Sequence, residues 1–437
     1  MSKIPQLIKT IEALNERISL LRNGKNSKTS HTPPSHQIGR PNAKSLRVKT
    51  DRKPGGQPGH EGTTLQIKAV PDERIDYMPQ YCNGCGEDLQ GAIHILEQSR
   101  QEVIIPPVQA RYVEHCCYRK VCNRCGKVCV GSMPAQLTAP IQYGGSVAAL
   151  VSYLSVYQYI PYHRMSVLLK DLFNLPISEG SIDNLLERTA QNALPVYNII
   201  QQKIQQSAVV GSDETGASYG GKKGWFHTWQ TIGLTFIAAS LNRGYKTIEQ
   251  YFKDGFPLSI YVSDCWAAQL KVKALLHQIC TAHLLRELRN FEDALSCKWS
   301  TAVKQLLLDA IALKKQFTPQ DYLHPPATVL QMEERLTQLL QHDHSNSHNK
   351  IKAFIKRLIK NRNSILTFLH HPKVPPDNNG SEQAIRNVKV KTKISGQFRS
   401  ERGATRFAIL RSVIDTTIKN TRNVFEGLTI LANLQPE

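Results

Sequence analysis

The sequence predicts a multidomain α/β protein, and three observations carry that prediction. Apolar residues make up 41% of 437, enough for a chain of this length to bury substantial cores. Between residues 208 and 281, short runs rich in β-branched and aromatic side chains alternate with short helical patterns. From 283 to 370 the apolar periodicity is almost wholly helical, and residues 380–434 read as helices around a basic loop.

Ala208-Val209-Val210-Gly211-Ser212-Asp213 reads as a buried strand ending in an acid. Trp225 to Thr231 and Leu234 to Ala239 read as two further strands joined by a tight turn at Gly233, with Trp225, Phe226 and Trp229 as core residues. Thr247 to Phe252 reads as a short helix. Ile260-Tyr261-Val262-Ser263-Asp264 is a second buried strand ending in an acid, and His277 to Thr281 a fifth strand. Three strands, a helix, a strand, a helix and a strand is the element order of the ribonuclease-H-like α/β fold. The expected core is therefore split: residues 207–283 form its first part, 284–370 a helical insertion, and 371–437 its completion.

Four segments precede the core. In residues 1–22, Ile4, Ile11 and Ile18 recur every seven residues, and Leu7, Leu14 and Leu21 do the same with an offset of three. Isoleucine at a and leucine at d favours a parallel two-stranded coiled coil, so a homo-oligomer, dimer or higher, is expected. Residues 23–69 carry prolines, a glycine-rich run and nine Lys or Arg residues with few apolar ones, the composition of a flexible basic arm. Residues 70–132 form a Cys-rich module with short β-like runs such as Val103-Ile104-Ile105. Residues 133–206 read as a helical unit of helix-turn-helix spacing, Tyr162 to Phe173 and Ile182 to Leu194, with Ser178 as N-cap. Glu179, Asp183 and Glu187 make the second helix acidic, which favours a packing unit over a major-groove reader.

Charge is distributed unevenly. Residues 1–70 carry a net +9 and residues 351–437 a net +10, whereas the body between them carries only +1. Positive charge concentrated at two ends points to a polyanion, most simply double-stranded DNA. Arg52 and Lys53 in the arm and Arg386, Lys389, Lys391, Lys393, Arg399 and Arg402 in the tail are the candidate DNA contacts. No apolar run is long enough to span a membrane, and no signal-peptide core is present. A cytoplasmic location with reduced thiols is expected.

Seven of ten cysteines lie between Cys82 and Cys129. Cys82-Asn83-Gly84-Cys85-Gly86 and Cys122-Asn123-Arg124-Cys125-Gly126 are two knuckles able to supply four thiolates to one structural zinc ion, as in a zinc ribbon. The glycine after each pair permits a tight turn that aims backbone amides at sulfur. Cys116, Cys117 and Cys129 do not share this spacing.

The second constellation is acidic. Asp213 and Asp264 each close an expected buried strand, where a carboxylate needs a cation or a partner. Glu382 falls in the first turns of the helix that Asp377-Asn378-Asn379 should start. Glu214 adjoins Asp213, but side chains alternate along a strand, so Glu214 should face away. His283 stands near this region as a hydrogen-bonding or strand-capping residue.

Together these residues resemble a family. Asp213-Glu214-Thr215, Trp225-Phe226, Ser263-Asp264, Cys280-Thr281-Ala282-His283 and Asp377-Asn378-Asn379-x-x-Glu382 are similar to the motifs of the insertion-sequence-66 family of bacterial transposases. Arg52-Lys53-Pro54-Gly55-Gly56-Gln57-Pro58-Gly59-His60 resembles that family's arm. Gln383 stands where an arginine is frequent, and Leu285-Arg286 where an arginine pair is usual. The resemblance implies a DDE recombinase with Asp213, Asp264 and Glu382 as its catalytic, metal-binding triad. It would hold two magnesium ions roughly 3.5–4 Å apart, replaceable by manganese, and cut and join the ends of a mobile element. Accessory proteins encoded by the element are possible partners. A zinc-dependent DNA-binding protein without catalysis is the alternative, disfavoured because all three acids are present; a non-integrating ribonuclease-H-like nuclease is disfavoured by the oligomerising and DNA-binding ends.

Overall fold

The computed structural model describes Leu14 and residues 65–434, except Asn346. The heptads and the basic arm lie outside the described residues, apart from Leu14, which is helical and about half exposed, and residues 65–69 at the end of the arm, which are exposed. The described residues fall into two compact units divided between Ala110 and Arg111.

Residues 65–110 contain no strand or helix, only a bridge between Tyr81 and Asp88 that flanks the first knuckle. Val103-Ile104-Ile105, read from sequence as a strand, is irregular and exposed, because no second run pairs with it. The second unit opens with a hairpin of β1 (Arg119–Val121) and β2 (Val128–Val130), antiparallel around the second knuckle. No residue from 65 to 133 is buried, so neither knuckle region brings an apolar core of its own.

The body begins with helices α1 (Gly145–Ser152), a π-helical turn (Tyr153–Tyr157), α2 (Tyr162–Phe173) and α3 (Glu179–Gln205). Asn174 ends α2 in the left-handed conformation, and Ser178 caps α3 by accepting from the Ser181 amide. α3 is longer than its sequence pattern suggested and runs through Pro195. Its acids are occupied by the chain's own tail. Arg406 is buried between Asp183 and Glu187, and Tyr162 Oη accepts from Arg406 at 2.9 Å. That pairing holds Asp183 below the usual carboxylate range, chiefly through the Arg406 hydrogen bond.

The central sheet has five strands: β3 (Val209–Tyr219), β4 (Lys222–Gln230), β5 (Thr235–Ser240), β6 (Phe256–Ser263) and β7 (Ala274–Ile279). Their order is β5-β4-β3-β6-β7. β3, β4 and β5 are antiparallel; β6 and β7 join parallel to β3. Short helices α4 (Tyr245–Tyr251) and α5 (Ala267–Leu270) connect β5 to β6 and β6 to β7. Two-residue alternation sends Tyr261 into one core and Ile260 and Val262 into the other.

The first core packs Phe226, Trp229 and Phe236 against α1–α3 and two late helices, α12 (Glu401–Lys419) and α13 (Val424–Asn433). The second packs Ile260, Val262 and Ile279 against α6 (Thr281–Leu295), α7 (Lys298–Gln316), α9 (Ala327–Gln341) and α10 (Asn349–Lys360), with the short α8 (Pro319–Leu323) between α7 and α9. The edge of β5 is closed by α12: Ser412 Oγ and Thr416 Oγ1 accept from the amides of Ile237 and Thr235 at 2.8 and 3.0 Å. Between the insertion and α12 lies α11 (Asn379–Ser395), which returns to β3. Among the described residues no helix is long and apolar enough to cross a membrane.

Candidate active site

The site forms where β3 and β6 part. Their parallel pairing ends with Gly211 opposite Val262, and Asp213 and Asp264 each follow two residues later. Asp213 does not end its strand, as the sequence suggested. β3 runs on to Tyr219 because β4 stays paired with it to that point. Asp264 does follow β6 directly; it is buried, and its Oδ1 accepts from the Trp266 amide at 2.9 Å. Asp213 Oδ1 accepts from the Glu214 amide at 2.8 Å.

Glu382 sits in the first turn of α11. Its Oε1 accepts from Arg286 Nη2 at 2.9 Å and lies 3.9 Å from His283 Nδ1, both on α6. Cys280, just before α6, completes a group with His283 and Glu382 whose candidate ligand atoms lie within 4.8 Å of one another. Sequence reasoning noted Arg286 only where the family has an arginine pair and did not see it as a partner of Glu382. The signal was present: His283 and Arg286 are three apart, hence neighbours on one helix face.

Electrostatics tie the three acids together. Asp213 is pushed well above the usual carboxylate range, first by burial, then by the charges of Glu214 and Asp264, with a smaller contribution from Glu382. Asp213, buried and facing like charges, is a donor suited to a hard divalent cation. Lys389, seven residues beyond Glu382 on α11, is pulled down by burial, while Asp213 and Glu382 favour its charged form. It is a tail residue that feels these acids.

Glu214 turns away, as alternation requires. Its Oε1 accepts from Arg243 Nη2 at 2.8 Å and Nε at 3.0 Å, and its Oε2 from Gln269 Nε2 at 2.9 Å. Burial raises its carboxyl first, and the Asp264 charge adds to that. Arg243 itself lies over Trp225 at 4.7 Å and Trp266 at 4.0 Å from the ring centroids. Trp225, Phe226 and Trp229 are buried in the core.

The other basic candidates divide. Arg386, Lys393 and Arg399 are exposed. Lys391 is partly buried and pushed down to about 8 by desolvation, with the nearby Arg406 charge acting in the same direction. Arg402 is largely exposed but leans on Asp183 and Glu187 at 3.5 and 3.8 Å. Arg406 and Arg411 are buried in ion pairs, so the tail is not one continuous basic face. Arg52 and Lys53 lie outside the described residues.

Each knuckle has the same local geometry. The Gly86 amide donates to the Cys82 carbonyl at 2.9 Å and the Gly126 amide to the Cys122 carbonyl at 2.8 Å, with φ of +80° and +71° at the two glycines. The amide of Cys85 lowers the Cys82 thiol, and that of Cys125 lowers the Cys122 thiol.

The sheet and its helices define a mixed α/β protein in which Asp213 lies within the field of Glu214, Asp264 and Glu382. The family model described as Transposase IS66 family matches residues 140–406, which hold the helical unit, the whole sheet, all three acids and the insertion. The chain belongs to the IS66 family of transposases, a family of DNA-processing enzymes. No curated protein matches it.

Proposed function

We propose that this protein is a DDE transposase that cuts at the ends of its mobile element and joins them to target DNA, on a ribonuclease-H-like core. The observation that carries the reading is that Asp213 on β3 feels the charges of Asp264, just after β6, and of Glu382 on α11, while the neighbouring Glu214, which also acts on it, is engaged by Arg243 and Gln269. The three carboxylates would hold two magnesium ions, with manganese able to substitute. When bound, these ions supply Lewis acidity that activates water or a 3′ hydroxyl and stabilises a leaving oxygen.

The chain's own residues do the rest. Arg286 holds the Glu382 carboxylate, with His283 Nδ1 3.9 Å away, and Lys389 presents a cation beside Asp213 and Glu382 for the charge of a phosphodiester. Arg386, Lys391 and Lys393 on the same helix, Arg399 in the connection after it and Arg402 on the next helix would contact the phosphate backbone. Arg52 and Lys53 would add contacts from the arm.

Cys82, Cys85, Cys122 and Cys125 would bind one structural zinc. Amides aimed at the first sulfur of each knuckle, and a region without a buried core, support that reading. The heptads would assemble a dimer or larger complex able to bring two element ends together in the bacterial cytoplasm.

The test is excision from a supercoiled plasmid carrying the element ends. The parent protein with magnesium should release the element, and Asp264→Asn should not. Equal excision by both would refute the reading.

A further inference from the structure

We infer that Asn378 is a positioning residue that sets the three carboxylates relative to one another; the inference rests on the two-metal reading of the site. Asn378 is 2% exposed, in the turn ahead of α11. The sequence marks it as a helix cap, but its side chain makes no capping bond to the helix amides. Those amides use its backbone instead: Ser381 N and Glu382 N donate to the Asn378 carbonyl at 3.1 and 3.2 Å.

Its side chain is spent on other elements. Nδ2 donates to the Ser212 carbonyl at 2.6 Å, one residue before Asp213. Oδ1 accepts from Ser381 Oγ at 2.7 Å, one residue before Glu382. Its own amide donates to Cys280 Sγ at 3.2 Å, and the Cys280 amide donates to the Ser263 carbonyl at 2.8 Å, one residue before Asp264. Each acid is thus joined to Asn378 through the residue before it. Asn378 is the residue on which the three segments meet.

The seat around it is closed. A Cβ at Gly211 would lie 2.6 Å from Gln230 Nε2 and 2.8 Å from Asn378 Oδ1 and Ser381 Oγ, and one at Gly380 2.6 Å from Gln230 Nε2. Two glycines therefore let the start of α11 approach β3 this closely. An asparagine is required chemically. A carbonyl oxygen needs a donor, and aspartate offers an oxygen in its place.

Manganese binding to the full chain tests this directly, read from the free-ion spin-resonance signal, because manganese favours carboxylates over the knuckle thiols. Asn378→Asp and Asn378→Ala should each weaken binding by about ten- to a hundred-fold, the usual cost of losing a group that orients a metal ligand. Circular dichroism and gel-filtration volume should remain those of the parent. If Asn378→Asp binds manganese like the parent while Asp213→Asn does not, Asn378 is merely structural and the inference is wrong. If Asp213→Asn and Glu382→Gln also bind like the parent, the two-metal reading itself has failed, and the inference falls with it. Should both Asn378 variants unfold, Ser381→Ala decides. It removes only the hydroxyl that orients Asn378 Oδ1, so weakened manganese binding supports the inference and unchanged binding overturns it.

Discussion

Arg243 holds Glu214 on the face of β3 opposite Asp213, with Nη2 2.8 Å from Oε1. Of two neighbouring acids on one strand, Glu214 is thereby paired with a guanidinium, although burial and neighbouring acid charge raise both carboxyls. The Glu214 side chain is only 2% exposed and the Arg243 side chain 26%, so removing the arginine strands a buried acid. Arg243→Ala should destabilise the protein by about 2 kcal/mol, below the cost for a fully buried pair because Arg243 reaches solvent. Urea unfolding reads this; an unchanged midpoint would mean that neither the Glu214–Arg243 pair nor the Trp225–Arg243–Trp266 stack contributes.

The raised carboxyl of Asp213 has a definite sign in stability. Below the unfolded pKa of about 3.9, Asp213 is protonated in both states and contributes nothing. Above it, the folded state must either retain the proton or bury a charge, so folding loses stability as pH rises towards the raised folded value. Metal-free Asp213→Asn should therefore melt higher than the parent at pH 8, and the difference should shrink on acidification to pH 4. Magnesium at pH 8 should raise the parent's melting temperature and leave the variant's almost unchanged. A pH-independent difference would mean that the Asp213 charge is not what opposes folding.

Much of this arrangement was readable from residues. β4 and β5 lie close to their apolar runs because each run is rich in β-branched or aromatic residues, whereas β6 begins earlier, at Phe256, and β7 spans Ala274–Ile279, with Cys280 and Thr281, read from sequence as strand, capping and starting α6. Asp213 fell inside β3 rather than at its end because the β4 pairing extends the strand, and pairing length depends on the partner. Val103-Ile104-Ile105 had strand composition without a partner to make it one. The withdrawal of Arg406 from the basic tail is not legible locally, because its partners, Asp183 and Glu187, lie more than two hundred residues upstream. Lys389 was legible in principle: seven residues is two helical turns, so it shares a face with Glu382.

Zinc should account for the order of the knuckles. Cys82→Ser or Cys122→Ser should remove one bound zinc per chain and expose residues 70–132 to protease, with the sheet still folded. Atomic absorption on protein prepared without chelator measures the metal. A parent chain with no zinc would contradict the assignment.

The arm should contribute charge without sequence preference. Deleting residues 23–64 should weaken binding to all duplexes and flatten the dependence of log affinity on log salt. Fluorescence anisotropy across a salt series gives the slope, and an unchanged slope would make the arm a spacer.

The central claim is that Glu382, rather than Glu214, completes the acidic centre with Asp213 and Asp264. Strand joining of a pre-cleaved element end into plasmid DNA, with magnesium, measures this most directly. Asp213→Asn, Asp264→Asn and Glu382→Gln should each bind the end duplex like the parent and lose joining by about three orders of magnitude or more, whereas Glu214→Gln should keep most of it. Normal joining by Glu382→Gln together with a dead Glu214→Gln would contradict the account.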